Sequence, residues 1–445
     1  MGVMLGANRG REHDDIVIFR SGPCRLGFGM ITAFDLDHHD MLSWLQKLTP
    51  RWMVTILIGC ALGQLAQGQT LTQALDAAWA RYPQATTLVA RQAQAQAHLD
   101  QARGLTPGAG AVSLAQLGDK FNNNRGQQEW EVEVSTPLWL PGQKAARELE
   151  AGHAASELVA RTAVLRLQLA GELRDAWWAI AAAREARTLA AQRLDTAVAL
   201  DQAVQRRFKA GDLARQDANW VKAERLAAEA EVLDANNALL QTQQVYRLLT
   251  GTEAPELLRP EPSQASSSEL DHPQLQALQA ATLLARSRLG LVTASQRDAP
   301  ELALSWNRQR GNATEAYAQT IGVKLTLPLS SSGLVRQDFA AARAELAQAE
   351  AELDMAQARV QQDLARAQAQ LQMAERQLAM AEQRHALTLD NLHIAQRAFD
   401  LGESDLSTLM RARASEHGSA ALFKRQEVAG FLARSRLHQA QGVLP

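Results

Sequence analysis

Glu129, Glu131 and Glu133 occupy alternate positions, a spacing of two that puts all three carboxylates on one face of a β-strand. Such a row cannot enter a dry core without a severe desolvation cost, so that face meets water and favours cations. His385 and His393 are eight residues apart, which is not the i, i+4 spacing of a helical metal pair, and the surrounding seam makes His385 a packed or lumen-edge residue. Met373 and Met380, seven apart, fit helix packing better than a copper path. Both cysteines, Cys24 and Cys60, precede residue 61, so no disulfide framework or CxxC site serves the body of the chain. With no nucleophile, metal or phosphate motif, no catalytic residue, cofactor or metal ligand is assigned, and an enzyme is not expected.

The 445 residues carry a net charge of −2, with no clustered Lys and Arg to grip phosphates, so no nucleic-acid partner is expected. Aromatic residues are 5%, and long windows contain little but Ala, Gln, Leu, Arg and Glu, the composition of long helices.

The glutamates alternate with Trp130, Val132, Val134 and Thr136, which predicts a strand with one wet and one apolar face. Val112 and Leu114 supply its hairpin partner, and a second pair follows around Leu302–Trp306 and Tyr317–Leu327. The recurrence is a duplication: 191 residues separate Pro137 from Pro328, Gly142 from Gly333, Phe208 from Phe399 and Gly211 from Gly402. Helices are expected from Thr70 to Tyr82 and, restarting at Pro83, to Arg103.

From Gly142 to Phe208 no proline intervenes, which allows a helix of about 65 residues, on the order of 100 Å long. Its copy from Gly333 to Phe399 carries a seam of Leu346, Leu353, Val360, Leu364, Leu371, Leu378, His385, Leu392 and Phe399. The steps are sevens with a single four, a stutter that straightens a supercoil. Trp177 and Trp178 are expected to anchor packing between helices. Each long helix ends in Phe-x-x-Gly, where Gly211 and Gly402 allow a turn and Asp212 or Asp405 can cap the return helix. Pro137 and Pro328 would end strand pairing, and Gly142 and Gly333 would let the chain turn into the long helices.

Residues 1–40 read as a non-native upstream extension, with Met41 as the start. Residues 41–68 form a signal peptide, with Lys47 and Arg51 before an apolar run of about ten residues, half of what a spanning helix needs. Leu57-Ile58-Gly59-Cys60 is a lipobox-like alternative in which Cys60 is lipidated, competing with cleavage near Gly68. The rest divides into repeat 1 (69–250), a linker (251–269), repeat 2 (270–441) and a tail (442–445). Four amphipathic strands in a membrane would leave edge groups unpaired at several kcal/mol each, whereas three copies would close twelve strands around water.

Ser135-Thr136-Pro137-Leu138 with Gly142, Thr326-Leu327-Pro328-Leu329 with Gly333, the two Phe-x-x-Gly tips and Tyr246-Arg247-Leu248-Leu249-Thr250-Gly251, in this order and duplicated, resemble the TolC-like outer-membrane efflux protein family over about residues 70–441. The resemblance implies a mainly α fold with a membrane β-barrel part. A homotrimer would build a twelve-stranded barrel in the outer membrane of a Gram-negative bacterium, continuing into an α-helical coiled-coil periplasmic tunnel. Its partners would be outer-membrane lipid, a periplasmic membrane-fusion adaptor and an inner-membrane pump of the resistance-nodulation-division type.

By the same resemblance the adaptor-docking tips map to Arg207, Phe208, Gly211, Asp212 and Leu213, and to Phe399, Gly402, Glu403 and Ser404. The family's acidic constriction falls at Thr408 and Arg411, a departure from an acidic gate; Glu403 and Asp405 could supply the ring one turn earlier, or be solvated caps. Pro137, Gly142, Pro328 and Gly333 mark the barrel–tunnel junction. Several helical stretches look similar to the heavy-metal cation branch. A drug duct or type I secretion channel is the alternative, and an exported coiled-coil adaptor without a pore is another.

Overall fold

The structure, a computed structural model, describes residues 69–262, 271–329 and 332–445; the leader and Cys60 lie outside them. Helix α1 (Leu71–Arg81) opens on a reciprocal cap: Gln73 N donates to Thr70 Oγ1 at 3.3 Å, and Thr70 N to Gln73 Oε1 at 3.1 Å. Pro83 then begins α2 (Pro83–Arg103), where a missing N–H costs nothing. Strands β1 (Ala111–Gly118) and β2 (Gln128–Pro137) lead into the 67-residue α3 (Gln143–Lys209), and α4 (Arg215–Thr250) returns. The plan repeats as α5 (Pro273–Ala294), β3 (Glu301–Arg310), β4 (Ala318–Thr326), the 69-residue α6 (Ser332–Asp400) and α7 (Leu406–Ala440).

The strands form one antiparallel sheet in the order β1-β2-β3-β4, so the two repeats join through β2 and β3. Cross-strand rows run Val112–Val134–Leu304–Val323 and Leu114–Val132–Trp306–Ile321. Among the described residues β1 and β4 are open edges.

The helices form a wall four across, with two successive levels along its length. Near the sheet the order is α2–α3–α5–α6, and near the turns it is α4–α3–α7–α6, so α3 is interior and α6 an edge throughout. Mid-wall, Leu75, Leu173, Trp177, Trp178, Ile180 and Tyr246 form the largest core, with Trp178 stacked on Phe431 at 5.2 Å and its Nε1 donating to Ser435 Oγ at 2.8 Å. The tryptophans therefore pack as expected. Among the described residues no helix is long and apolar enough to cross a membrane.

Several expectations are corrected by the geometry. The seam of α6 buries Ala356, Val360, Ala367, Ala374 and Ala381 deepest, while Leu364, Leu371 and Leu378 are half-buried beside them. Alanine lets two helix backbones approach closely, and the leucines splay over the rim of that contact. The four-residue step from Val360 to Leu364 is retained. Met373 and Met380 fill no core within the chain but are exposed. Asp212 does not cap α4; the Asp217 carboxylate accepts from Ala214 N at 3.3 Å instead. Gly142 takes a left-handed φ of 77° as the cap of α3, but Gly333 lies inside α6 and shows no such conformation. Pairing also continues one residue past Pro137, through Leu138 N donating to Pro300 O at 2.7 Å.

Candidate functional site

The two faces of the sheet differ in character, although Leu117 lies exposed beside Glu129 on the polar one. On one, Val112, Leu114, Val134, Leu302, Leu304, Ile321, Val323 and Leu325 are exposed, flanked by Trp130 and Trp306. A contiguous apolar patch of this kind on a water-soluble surface would be an aggregation site, so it marks a surface that meets something apolar. The opposite face carries Glu129, Glu131 and Glu133 in a row across from Gln309, Asn307 and Ser305. Asn307 Nδ2 donates to Glu129 Oε1 at 2.6 Å, and Lys324 Nζ lies 3.7 Å from Glu133. The row faces the polar side, as its alternation requires.

The lateral edges of the helical wall carry heptad stripes with no partner among the described residues. On α4 these are Leu226, Leu233 and Leu240; on α6 they are Met373, Met380, Leu387 and Ile394, continued by Leu401 in the turn just past its end, all exposed. Seven-residue spacing keeps a stripe facing one neighbour along a near-straight helix. Sheet edges β1 and β4 are open at the same time. The sequence placed Met373 and Met380, seven apart, as a packing pair; that the sevens run on through Leu387 and Ile394, and that α4 carries a stripe of its own, went unread.

At the far end the two helix turns share one geometry. Gly211 (φ 88°) and Gly402 (φ 80°) are left-handed, and Asp212 N donates to Arg207 O at 2.9 Å as Glu403 N does to Ala398 O at 2.8 Å. These bonds satisfy carbonyls that each helix end would otherwise orphan. The turns also touch: the Arg207 guanidinium lies 5.1 Å from the Phe399 ring centre. Phe399 is buried with Leu200, Val204, Val221, Leu406 and Leu409, with Leu213 packed against them, while Phe208 is exposed.

Beyond the second turn, Asp405 caps α7, accepting from Thr408 N at 3.0 Å and from Ser407 Oγ at 2.8 Å. Hydrogen bonds from Thr408 first, then Ser407, hold its carboxyl down at about 2. Arg411 donates to Thr408 Oγ1 at 3.2 Å, so Asp405, Thr408 and Arg411 form one cluster. Glu403 is exposed and outside it, and the Ser404 hydroxyl is buried without a hydrogen-bond partner.

Farther along, α3, α6 and α7 enclose a cleft of about 630 Å³ that His385, His393 and His417 all line. His385 stacks on Phe423 at 5.7 Å, and His417 Nε2 is 3.3 Å from Glu231. Among the described residues no group of three His, Cys, Asp or Glu could hold a metal ion. Arg193 closes the cleft by pairing with Glu224 at 2.7 Å and with Glu231, two glutamates seven apart on α4 whose spacing was the available sequence signal. Glu231 thereby faces both Arg193 and His417, a network that sequence reading did not find.

No family model matches the chain. It is 27% identical over 210 residues to the cobalt-zinc-cadmium resistance protein CzcC of Cupriavidus metallidurans, an alignment covering 44% of this chain. The chain spans about half the length (50%) of that curated relative. Its structure is similar to that of the outer-membrane protein VceC of Vibrio cholerae, with a TM-score of 0.69 at 16% identity over 84% of this chain and 96% of the other. CusC, studied for transmembrane channel formation, matches with a TM-score of 0.71 at 13% identity over 85% and 96%. The outer-membrane channel CmeC of Campylobacter jejuni gives 0.69 at 14% identity over 84% and 86%. The apolar-faced sheet leading into two helices of nearly 70 residues is thus the fold of one protomer of the TolC-like outer-membrane channels.

Proposed function

We propose that the chain is the outer-membrane channel of a tripartite efflux system, a passive duct from periplasm to exterior. The observation that carries this reading is the sheet, with exposed aliphatic rows on one face, a carboxylate row on the other and both edges open. Edge groups facing hydrocarbon cost several kcal/mol each unless paired, and a second copy's β4 against β1 pairs them. Three copies close twelve strands, with the α4 stripe of one copy packing against the α6 stripe of the next to continue the wall as a periplasmic tunnel. The Arg207–Leu213 and Phe399–Ser404 turns face a periplasmic adaptor, and through it an inner-membrane pump. Pro137, Gly142, Pro328 and Gly333 lie where barrel becomes tunnel.

We assign heavy-metal cations as the cargo. The Glu129, Glu131 and Glu133 row would line the lumen in triplicate, and the likeness to a protein named for cobalt, zinc and cadmium resistance points the same way. The adaptor-without-pore alternative is disfavoured because a soluble β module would not leave the aliphatic rows exposed. Fractionation followed by planar-bilayer recording tests the duct: trimers in the outer membrane that conduct are expected, and a soluble periplasmic monomer would sink the reading. Deleting the gene and challenging cells with zinc, cobalt, cadmium, copper and a drug panel tests the cargo. Sensitivity to drugs alone would reassign it to the drug-duct reading.

A further inference from the structure

The apolar face of the sheet ends, on the side away from the helices, in two arginines. Residue parity places Arg308 and Arg310 on the same face as Trp306, in rows with Trp130 and Gln128 respectively. Both guanidinium groups converge on one ring, that of Tyr317, at 4.1 and 4.9 Å from its centre, so their carbons are no more than about 9 Å apart. Tyr317 is fixed in turn, its hydroxyl donating to Gln128 Oε1 at 2.6 Å, and Arg310 Nε donates to Gly126 O at 3.1 Å. Among the described residues neither arginine forms an ion pair with a carboxylate.

Two like charges within about 9 Å at the rim of a low-dielectric surface repel; the Tyr317 ring offsets part of that repulsion, and a bound anion would offset more. Their height adds the second half of the argument. Reading outward along the face, the last aliphatic row, Leu114–Val132–Trp306–Ile321, already carries one tryptophan; Arg308 is level with Trp130 in the next row, and Arg310 lies one row farther out. That is the order of hydrocarbon, interface and headgroup along a membrane-embedded barrel wall. A guanidinium fork matches phosphate geometry, so two forks beside one ring supply a cluster of donors suited to phosphate oxygens.

We propose that Arg308 and Arg310, braced by Tyr317, bind the phosphate of a phosphorylated lipid headgroup in the leaflet away from the helices. The inference rests on the channel reading, which puts this face against lipid. Arg308 also keeps donors free toward the surface, being exposed where Arg310 is half-buried. The pair therefore fixes the depth of the barrel as well as binding the lipid.

The test uses the full-length trimer purified in detergent and titrated with bisphosphorylated lipid A, with the same lipid stripped of phosphate, and with inorganic phosphate. Binding of the phosphorylated lipid is expected, with no saturable response to the other two. R308Q and R310Q should each weaken it at least tenfold, about 1.4 kcal/mol, the lower end of what a hydrogen bond to a charged group contributes. A double variant that still inserts and trimerises but binds lipid A as wild type does would overturn the proposal and leave the channel reading standing. Equal binding of the dephosphorylated lipid, or saturable binding of inorganic phosphate alone, would likewise overturn it. Wild-type protein recovered only in the soluble fraction would overturn the channel reading and the lipid contact together.

Discussion

Arg174 and Glu261 form a two-pronged ion pair in which both side chains are almost dry, with Nε and one terminal nitrogen 2.9 and 2.8 Å from the two carboxylate oxygens. The same arginine donates to Gln439 Oε1 at 2.5 Å and to Val443 O at 2.9 Å, so one residue of α3 ties the inter-repeat segment and the C-terminal tail to the wall. His438 Nδ1 completes the cluster 3.2 Å from Glu261. Removing one partner leaves a buried charge uncompensated, so Glu261→Ala or Arg174→Ala should lose about 3–5 kcal/mol in denaturant unfolding.

The pair also predicts an acid limit. Burial pushes the Glu261 carboxyl up, but hydrogen bonds from His438 and Arg174 and the arginine's charge outweigh it and hold the group at about 2. A depressed carboxylate stabilises the fold above its unfolded value near 4.3, and that stability is lost as pH falls from there through about 2. Melting curves from pH 6 down to 2 should fall steeply in this window for wild type. For Arg174→Ala the fall should be flatter, and equal slopes would mean the pair does not set the limit.

Gly142 and Gly333 occupy corresponding places in the two repeats yet differ in backbone, which separates their substitutions. Gly142 has φ 77° with no atom within 4 Å of an added Cβ, so Gly142→Ala meets backbone strain alone, on the order of 1–2 kcal/mol. Gly333 is helical with equal room, so Gly333→Ala should be neutral or stabilise by up to about 1 kcal/mol. Thermal unfolding of the two single variants checks this. Equal losses would mean that both junctions turn through a left-handed residue.

The repeat, the strands and the long helices were legible because their signals are periodic: twos from Glu129 to Glu133, sevens from Leu364 to Phe399, and an offset of 191. What escaped was not periodic, or was periodic in a residue without contrast. The buried line Ala367, Ala374 and Ala381 repeats by sevens, yet alanine is so common on these helices that its register carries no contrast. Arg174 and Glu261 are 87 residues apart, and nothing local announces that they meet. The tips illustrate a different limit: Phe208 and Phe399 stand in matching motifs, and only the packing of the two hairpins against each other buries one and leaves the other out. At the candidate constriction, Asp405 was recognised as a possible cap from its position after Gly402, but its link to Arg411 through Thr408 needed the helix to bring them together.

The stripes on α4 and α6 predict where assembly fails. Leu233→Glu and Met380→Glu change exposed residues, so each chain should keep its helical circular dichroism. Each apolar side chain covered at an interface contributes roughly 1.5–3 kcal/mol, and a buried unpaired carboxylate costs more, so either change should abolish the trimer on cross-linking and light scattering. Arg187→Glu, on the interior α3 and off both stripes, serves as the control and should trimerise. Intact trimers in both stripe variants would mean that the wall closes through other helices.

The two tip phenylalanines should separate stability from docking. Phe399 is buried between the hairpins under Arg207, and Phe399→Ala opens a cavity worth about 3–5 kcal/mol. Phe208 is 36% exposed on the first turn, so Phe208→Ala should cost about 1 kcal/mol, well below the loss at Phe399. If the turns dock an adaptor, that exposed ring belongs to the contact, and truncating an aromatic anchor weakens binding by 2 kcal/mol or more, roughly thirtyfold. Co-purification with the adaptor, set beside unfolding curves for both variants, reads the two effects independently. Phe208→Ala protein that folds and still recovers adaptor at wild-type yield would remove the first turn from the docking surface, leaving Gly402, Glu403 and Ser404 to carry it.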